Sequence, residues 1–385
     1  MANSTFDTDD DFHFNACVGN NGWVDHATYS DGFDEAVTAL CQVVLLGGTA
    51  DTLIYPIVFC ARHRIELFVK SQLRRVGHIR KDIAIPDDKI IKTHDLGILW
   101  ALLENMTKQC DSRYAELIDS CRPAIMDFFE MDPKGETFRY PYSQDGVKHL
   151  TEQSLIGLRR FTGAYTDLTD LMRKIEMLSD FLYSEYATNT YTKVLSRQDL
   201  ESIATELPPR SMWGDPEGTF PAVKAKIIAR HNLSGRQYTD ALNVIQGHRE
   251  FSQLIGIDNT LPHCDPVKLQ QLFQLRFNLN QYSGSFPESF TPQYKDAYKK
   301  YIDFLSDQLS DEELATILAL NELGSNIMNY SEHYDGIYEE HLLSIQYHKR
   351  SQVTYIQSRG AIQQRIFSAL KVLRQENILM NLAVK

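Results

Sequence analysis

The sequence predicts an all-α protein, a helical bundle followed by a second helical domain. Three observations carry this reading. Apolar residues recur at spacings of three and four through the long segments, no stretch of useful length alternates apolar and polar, and the apolar runs are punctuated by Pro, Gly, Asp and Ser. No internal repeat of solenoid length appears.

Residues 1–29 alternate Asp, Asn, Gly and aromatics without helical period and read as an irregular acidic arm packed through Phe12, Phe14 and Trp23. A helix is expected from Ser30, with Asp34 and Glu35 in its first turn and Gly47-Gly48 at its exit. Over 52–76 apolar residues fall on nearly every face, which marks a helix enclosed by others, started or kinked by Pro56. Thr93 is a sound N-cap for a helix over 94–108, and another covers about 112–130. Residues 132–146 are turn chemistry around a short aromatic, strand-like piece. Leu155, Leu158, Phe161, Tyr165 and Leu168 begin a long helix over 150–187.

The prolines and glycines of 206–220 make the best boundary, giving a bundle over 30–195, a linker over 196–219 and a C-terminal helical domain over 220–385. Helices are expected there at about 220–231, 235–249, 266–277, 291–307, 311–323 and 336–376, the last breaking near Gly360.

At 385 residues, 43% hydrophobic and 23% charged, the chain has the composition of a soluble globular protein of two or three ordinary domains. No window of eighteen apolar residues and no signal layout appears, so a cytoplasmic protein without membrane partners is expected. Six cysteines without CxxC spacing argue against both a disulfide framework and structural zinc. Glu332, His333, Asp335, Glu339, Glu340 and His341 cluster, and His341 and His348 lie seven apart on one helix face, but no HExxH-like spacing is present; no metal and no cofactor is expected. Gly-rich phosphate loops and a hydrolase elbow are absent too.

The formal charge of −12 argues against a surface coated for nucleic acid, but the charge is uneven. Residues 60–92 carry nine Lys and Arg against four acids, and 349–385 carry seven against Glu376 alone. These are two solvated helix faces, or two places for an anionic partner.

The most informative stretch is 60–78, where Arg62, His63, Arg64, Glu66, Lys70, Arg74, Arg75 and His78 ride on an otherwise apolar helix. Buried charge needs partners. Arg62, Glu66 and Lys70 share a face at a spacing of four, with His63 one position round. His94 and Asp95 open the next helix, where capping and anion attraction both apply. Arg139 lies between two aromatics ahead of Pro141; an extended backbone would aim it at an inward carboxylate, for which Glu66 is the natural candidate. The three segments are expected to converge on one polar seam of Arg62, His63, His94 and Arg139 with Glu66, Lys70, Arg74, His78, Asp95 and Tyr140.

ARHRIELFVK (61–70), KTHDLGILW (92–100) and DPKGETFRYP (132–141) follow the order RHxxELxxK, HDLxxL, FRYP. In these motifs the chain resembles the HEPN superfamily, helical bundles common in prokaryotic toxin and anti-phage defence proteins, over about 30–190. The resemblance implies a bundle that often forms a homodimer and, in its active branches, cuts RNA without metal through an Arg and a His separated by four to six residues. That spacing is not found here: three residues separate Arg74 from His78, and nine separate Arg139 from His149. Other branches bind nucleotides or partner proteins.

Two functions are therefore expected in alternative. One is an RNA-directed effector, a metal-independent ribonuclease with His63 or His94 as base and Arg62 and Arg139 on the phosphate. The other is a non-catalytic sensor or scaffold in which the same residues hold the bundle together while a nucleotide, or a partner protein encoded nearby, binds the seam.

Overall fold

The computed structural model describes residues 4–19, 21, 25–282, 291–325 and 330–383. Among them the fold is all-α: helices account for all regular structure, and the only extended pairing is an isolated bridge between Tyr142 and Lys148. The chain divides into two units, residues 1–183 and 184–385.

In the first unit, α1 (His26–Leu45) starts at Asp25, whose carboxylate accepts a hydrogen bond from the Thr28 amide, several residues before the expected Ser30. It ends at Gly47, whose φ of +107° favours glycine. The preceding arm does not pack as expected: Phe12 and Phe14 are exposed, Phe12 by 83%, and Trp23 lies outside the described residues. Their neighbours in sequence are mostly Asp, His and Asn, which offer them little apolar surface.

Helix α2 (Ala50–Ile79) packs along α1 and against α4, which explains its all-round apolar pattern; Pro56 lies in its second turn. After the short α3 (Asp88–Ile91) comes α4 (Leu96–Cys110), capped by Asp95 through the Ile98 amide, while the expected cap Thr93 accepts from the Asp95 amide instead. Helix α5 (Ala115–Met131) then packs on α4.

Residues 137–139 form a turn in which the Arg139 and Tyr140 amides donate to the Glu136 carbonyl, so the expected strand-like piece is absent. Helix α6 (Leu158–Ala187) starts later than its spacing suggested. Leu150 has a left-handed φ of +56°, and 150–157 runs as an irregular strap that leaves Leu155 84% exposed. The core of this unit is filled by residues such as Val37, Ile57, Ala61, Leu99 and Leu103. Each fully buried Leu or Ile adds about 1.5–3 kcal/mol.

The second unit holds α7 (Arg197–Glu206), α8 (Thr219–His231), α9 (Gly235–Gly247), α10 (Arg249–Leu254), α11 (Pro266–Gln281), α12 (Pro292–Asp303), α13 (Asp311–Leu323), α14 (His333–Gln357), α15 (Ile362–Val372) and α16 (Glu376–Ala383). The division falls before the expected linker at 196–219. Leu200, Ile203, Ala204 and Leu207 are buried there against Ile227, Ala241 and Phe251, so the proline-rich stretch joins two packed parts of one core.

A second cluster gathers α11–α16, with Leu314, Leu318, Ile366 and Leu370 fully buried. Gly324 lies so close to α15 that a Cβ would stand 1.8 Å from the Arg365 carbonyl oxygen. The expected long terminal helix breaks between Gln357 and Ile362, as Gly360 suggests, and also at His348, whose φ/ψ of −143°/42° is not helical. The Gln352 amide donates to Ser344 Oγ at 2.7 Å and its Oε1 is 3.2 Å from His341 Nδ1. A straight helix would separate residues 341 and 352 by about 16 Å, so the chain folds back at His348. His341 and His348 accordingly share no straight face.

Candidate functional site

Arg62 is 1% exposed and is the centre of the polar seam. Its Nε donates to the Asp132 carbonyl at 2.9 Å, Nη2 to the carbonyls of His94 (2.6 Å) and Pro133 (3.0 Å), and Nη1 to Glu66 Oε2 at 3.1 Å. One guanidinium thus ties α2 to the chain ahead of α4 and to the chain leaving α5. The Leu96 amide donates to the same Pro133 carbonyl, and Asp132 Oδ1 accepts from the Glu136 and Thr137 amides, so the turn that supplies the carbonyls is itself fixed.

Glu66 is buried and accepts from three cationic or imidazole groups: Arg62, Lys70 Nζ at 2.7 Å and His94 Nδ1 at 2.9 Å. Burial alone would raise its carboxyl pKa, but Lys70, Arg62 and His94 outweigh it and hold the group below its ordinary value. The His94 side chain is 66% exposed, so a buried carboxylate orients a solvent-facing imidazole.

His63 points elsewhere. Its ring meets Phe33 of α1 edge-on at 4.6 Å and stacks on Phe59 at 5.9 Å. Burial lowers its pKa, against a smaller upward pull from Glu66, which keeps the ring neutral at physiological pH.

Arg139 does not reach Glu66, and this corrects the expected pairing. Because its backbone turns rather than extends, the exposed guanidinium lies over the rings of Phe59 (5.5 Å) and Tyr140 (5.2 Å), and Nη2 donates to the Tyr140 hydroxyl at 3.3 Å. Arg74 and His78 also leave the seam: they line a separate cleft of about 480 Å³ with His26, Ser71, Arg75 and Tyr183. Asp95 acts as the α4 cap. The sequence segments therefore converge, but through the side chains of Arg62, Glu66, Lys70 and His94 and the main-chain carbonyls of His94, Asp132 and Pro133.

Arg139 instead borders a cavity of about 650 Å³, walled by the first turns of α2, the turn at 137–141 and the strap at 148–158. Asp51, Tyr55, Tyr140, Lys148 and His149 line it. The Tyr55 and Phe138 rings lie 6.4 Å apart there, and buried His149 Nε2 has no hydrogen-bond partner among the described residues. Sequence reasoning passed over Asp51, Tyr55, Lys148 and His149 as site residues because no period or motif links them. The one signal was a Lys-His pair beside the Asp145-Gly146 turn.

The second unit has its own buried charge cluster. Arg197 pairs with Glu250 and Glu332 and lies over the rings of Phe251 and Tyr330, and His248 Nε2 is 3.0 Å from Glu332. Burial would raise the Glu332 pKa; His248 and Arg197 outweigh it and lower it strongly. Among the described residues no group of three His, Cys, Asp or Glu side chains is arranged to hold a metal ion, and no helix is long and apolar enough to cross a membrane. Comparison with family models, curated proteins and solved structures finds no match, so the functional reading rests on geometry.

Proposed function

We propose that the first unit is a HEPN-like, non-catalytic helical sensor that binds a phosphate-bearing ligand, a nucleotide, in the cavity beside Arg139. The observation that carries this is the separation of the cations into two kinds. Arg62 and Lys70 are buried and share Glu66, and Arg62 spends its other N–H groups on main-chain carbonyls, so neither is presented to a phosphate. Arg139 is exposed, held by two rings at the mouth of a cavity that Lys148 also lines. A volume of about 650 Å³ is within the range of small-molecule sites. Titration of the purified chain with nucleoside monophosphates, read by calorimetry, tests the reading: the wild type binds and an Arg139→Ala, Lys148→Ala double variant does not. Equal heats from both proteins would end it.

A second reading, a metal-independent ribonuclease, is favoured by one observation: the Glu66–His94 pair has the arrangement that orients a general base. Arg62 is not its phosphate ligand. The test is digestion of total RNA and tRNA by wild type and His94→Ala; cleavage by the wild type that the substitution abolishes would establish it over the sensor reading. In either case a homodimer or a partner protein remains a separate proposal, checked by light scattering of the chain alone and with candidate partners.

A further inference from the structure

The cavity beside Arg139 is not uniformly basic, and its charge distribution along α2 narrows the ligand class. Asp51, Tyr55 and Phe59 lie at successive i, i+4 positions and so share one stripe of the helix. Arg139 rests on Phe59. Tyr55, one turn nearer the helix start, lines the cavity with its ring against Phe138, and Asp51 lines it one turn further still. Eight residues of helix separate the levels of Asp51 and Phe59, about 12 Å along the axis. The site therefore has a cationic end, an aromatic middle and a carboxylate end, in that order.

We infer that the cavity takes a nucleoside monophosphate whose base carries an exocyclic amino group, its phosphate at Arg139, its base against Tyr55 and its amine donating to Asp51. This rests on the nucleotide reading above and specifies its ligand. Pyrophosphate would engage the cationic end alone and forgo the contacts at Tyr55 and Asp51, which disfavours it against a nucleotide. A carboxylate accepts a hydrogen bond from an amine but meets a base carbonyl as lone pair against lone pair, so it discriminates cytosine from uracil and adenine from hypoxanthine.

The experiment is calorimetric titration of the full chain with two near-isosteric pairs, CMP against UMP and AMP against IMP, with inorganic pyrophosphate as the pure anion. At least one pair shows the amino member binding about tenfold or more tightly, the effect of one good hydrogen bond to a charged group. Asp51→Asn, checked for an unchanged melting curve, removes the difference within that pair. Equal binding within both pairs, a preference that survives Asp51→Asn, or pyrophosphate binding more tightly than any nucleotide overturns the inference while the nucleotide reading stands. Silence from all four nucleotides sinks the two together.

Discussion

The Arg62 guanidinium and the Glu66 carboxylate lie 3.1 Å apart, one turn from each other on α2, and both are buried. Neither satisfies the other alone. Arg62 also holds three main-chain carbonyls on two other segments, and Glu66 also holds Lys70 and His94. Such a pair adds little over an apolar replacement of the same shape, but losing one member leaves the other stranded.

Arg62→Ala is accordingly expected to destabilise the protein by about 3–5 kcal/mol, read from urea unfolding. Arg62→Lys fails to restore it, because one ammonium cannot span the three carbonyls and the carboxylate that a planar fork reaches from three nitrogens. A lysine variant with wild-type stability would contradict this account of the joint.

Glu66 and Arg139 separate two descriptions of the seam. Had they been partners, replacing either would unfold the chain. In the structure Glu66→Ala strands Arg62 and Lys70 and costs several kcal/mol, whereas Arg139→Ala loses exposed cation–π contacts worth about 0.5–1 kcal/mol. Thermal melts of the two variants side by side show a large shift for the first and a small one for the second.

His63 gives the fold a pH dependence of definite sign. Its folded pKa lies below the ordinary 6.5 because burial disfavours the imidazolium. The unfolded chain therefore takes up the proton first as pH falls, and stability present above pH 6.5 declines below it. Glu66, also lowered, adds a second loss only in the acid range below its ordinary 4.5. Melting temperature measured between pH 8 and pH 5 falls for the wild type, and the slope is smaller for His63→Phe, which keeps a ring beside Phe33 and Phe59.

Gly324→Ala tests the packing of α13 on α15. The added methyl would meet the Arg365 carbonyl at 1.8 Å, a collision with main chain that no rotamer relieves. A destabilisation of about 1–3 kcal/mol or more is expected in chemical denaturation. A neutral result would mean that the two helices separate freely.

What was legible in the sequence follows from where the physics is local. Helix α13 has the limits expected of it, 311–323, and its start is set by a local device, the Ser310–Glu313 capping box. The convergence of 60–78, 92–103 and 132–141 was legible because so many charges on apolar segments require one another. The partner of Arg139 was not, since the direction of a guanidinium depends on whether the backbone turns or extends, and FRYP allows both. Leu155 continued the spacing of α6 yet lies outside it, because the left-handed Leu150 and the strap after it delay the helix. The fold-back at His348 carries neither Pro nor Gly and is set by tertiary contacts of Gln352 with Ser344 and His341.

Three of the bonds from Arg62 end on peptide oxygens, which every amino acid supplies. The bonds themselves are consequently blind to side-chain identity on their receiving side: Pro133 can be exchanged wherever the turn keeps its shape, Asp132 is needed for the carboxylate that holds the turn and not for its carbonyl, and the donor position admits a single residue type. Past Asp132 and Pro133, the loop to residue 146 is thereby free to vary its chemistry around the cavity it borders without loosening its anchorage to α2.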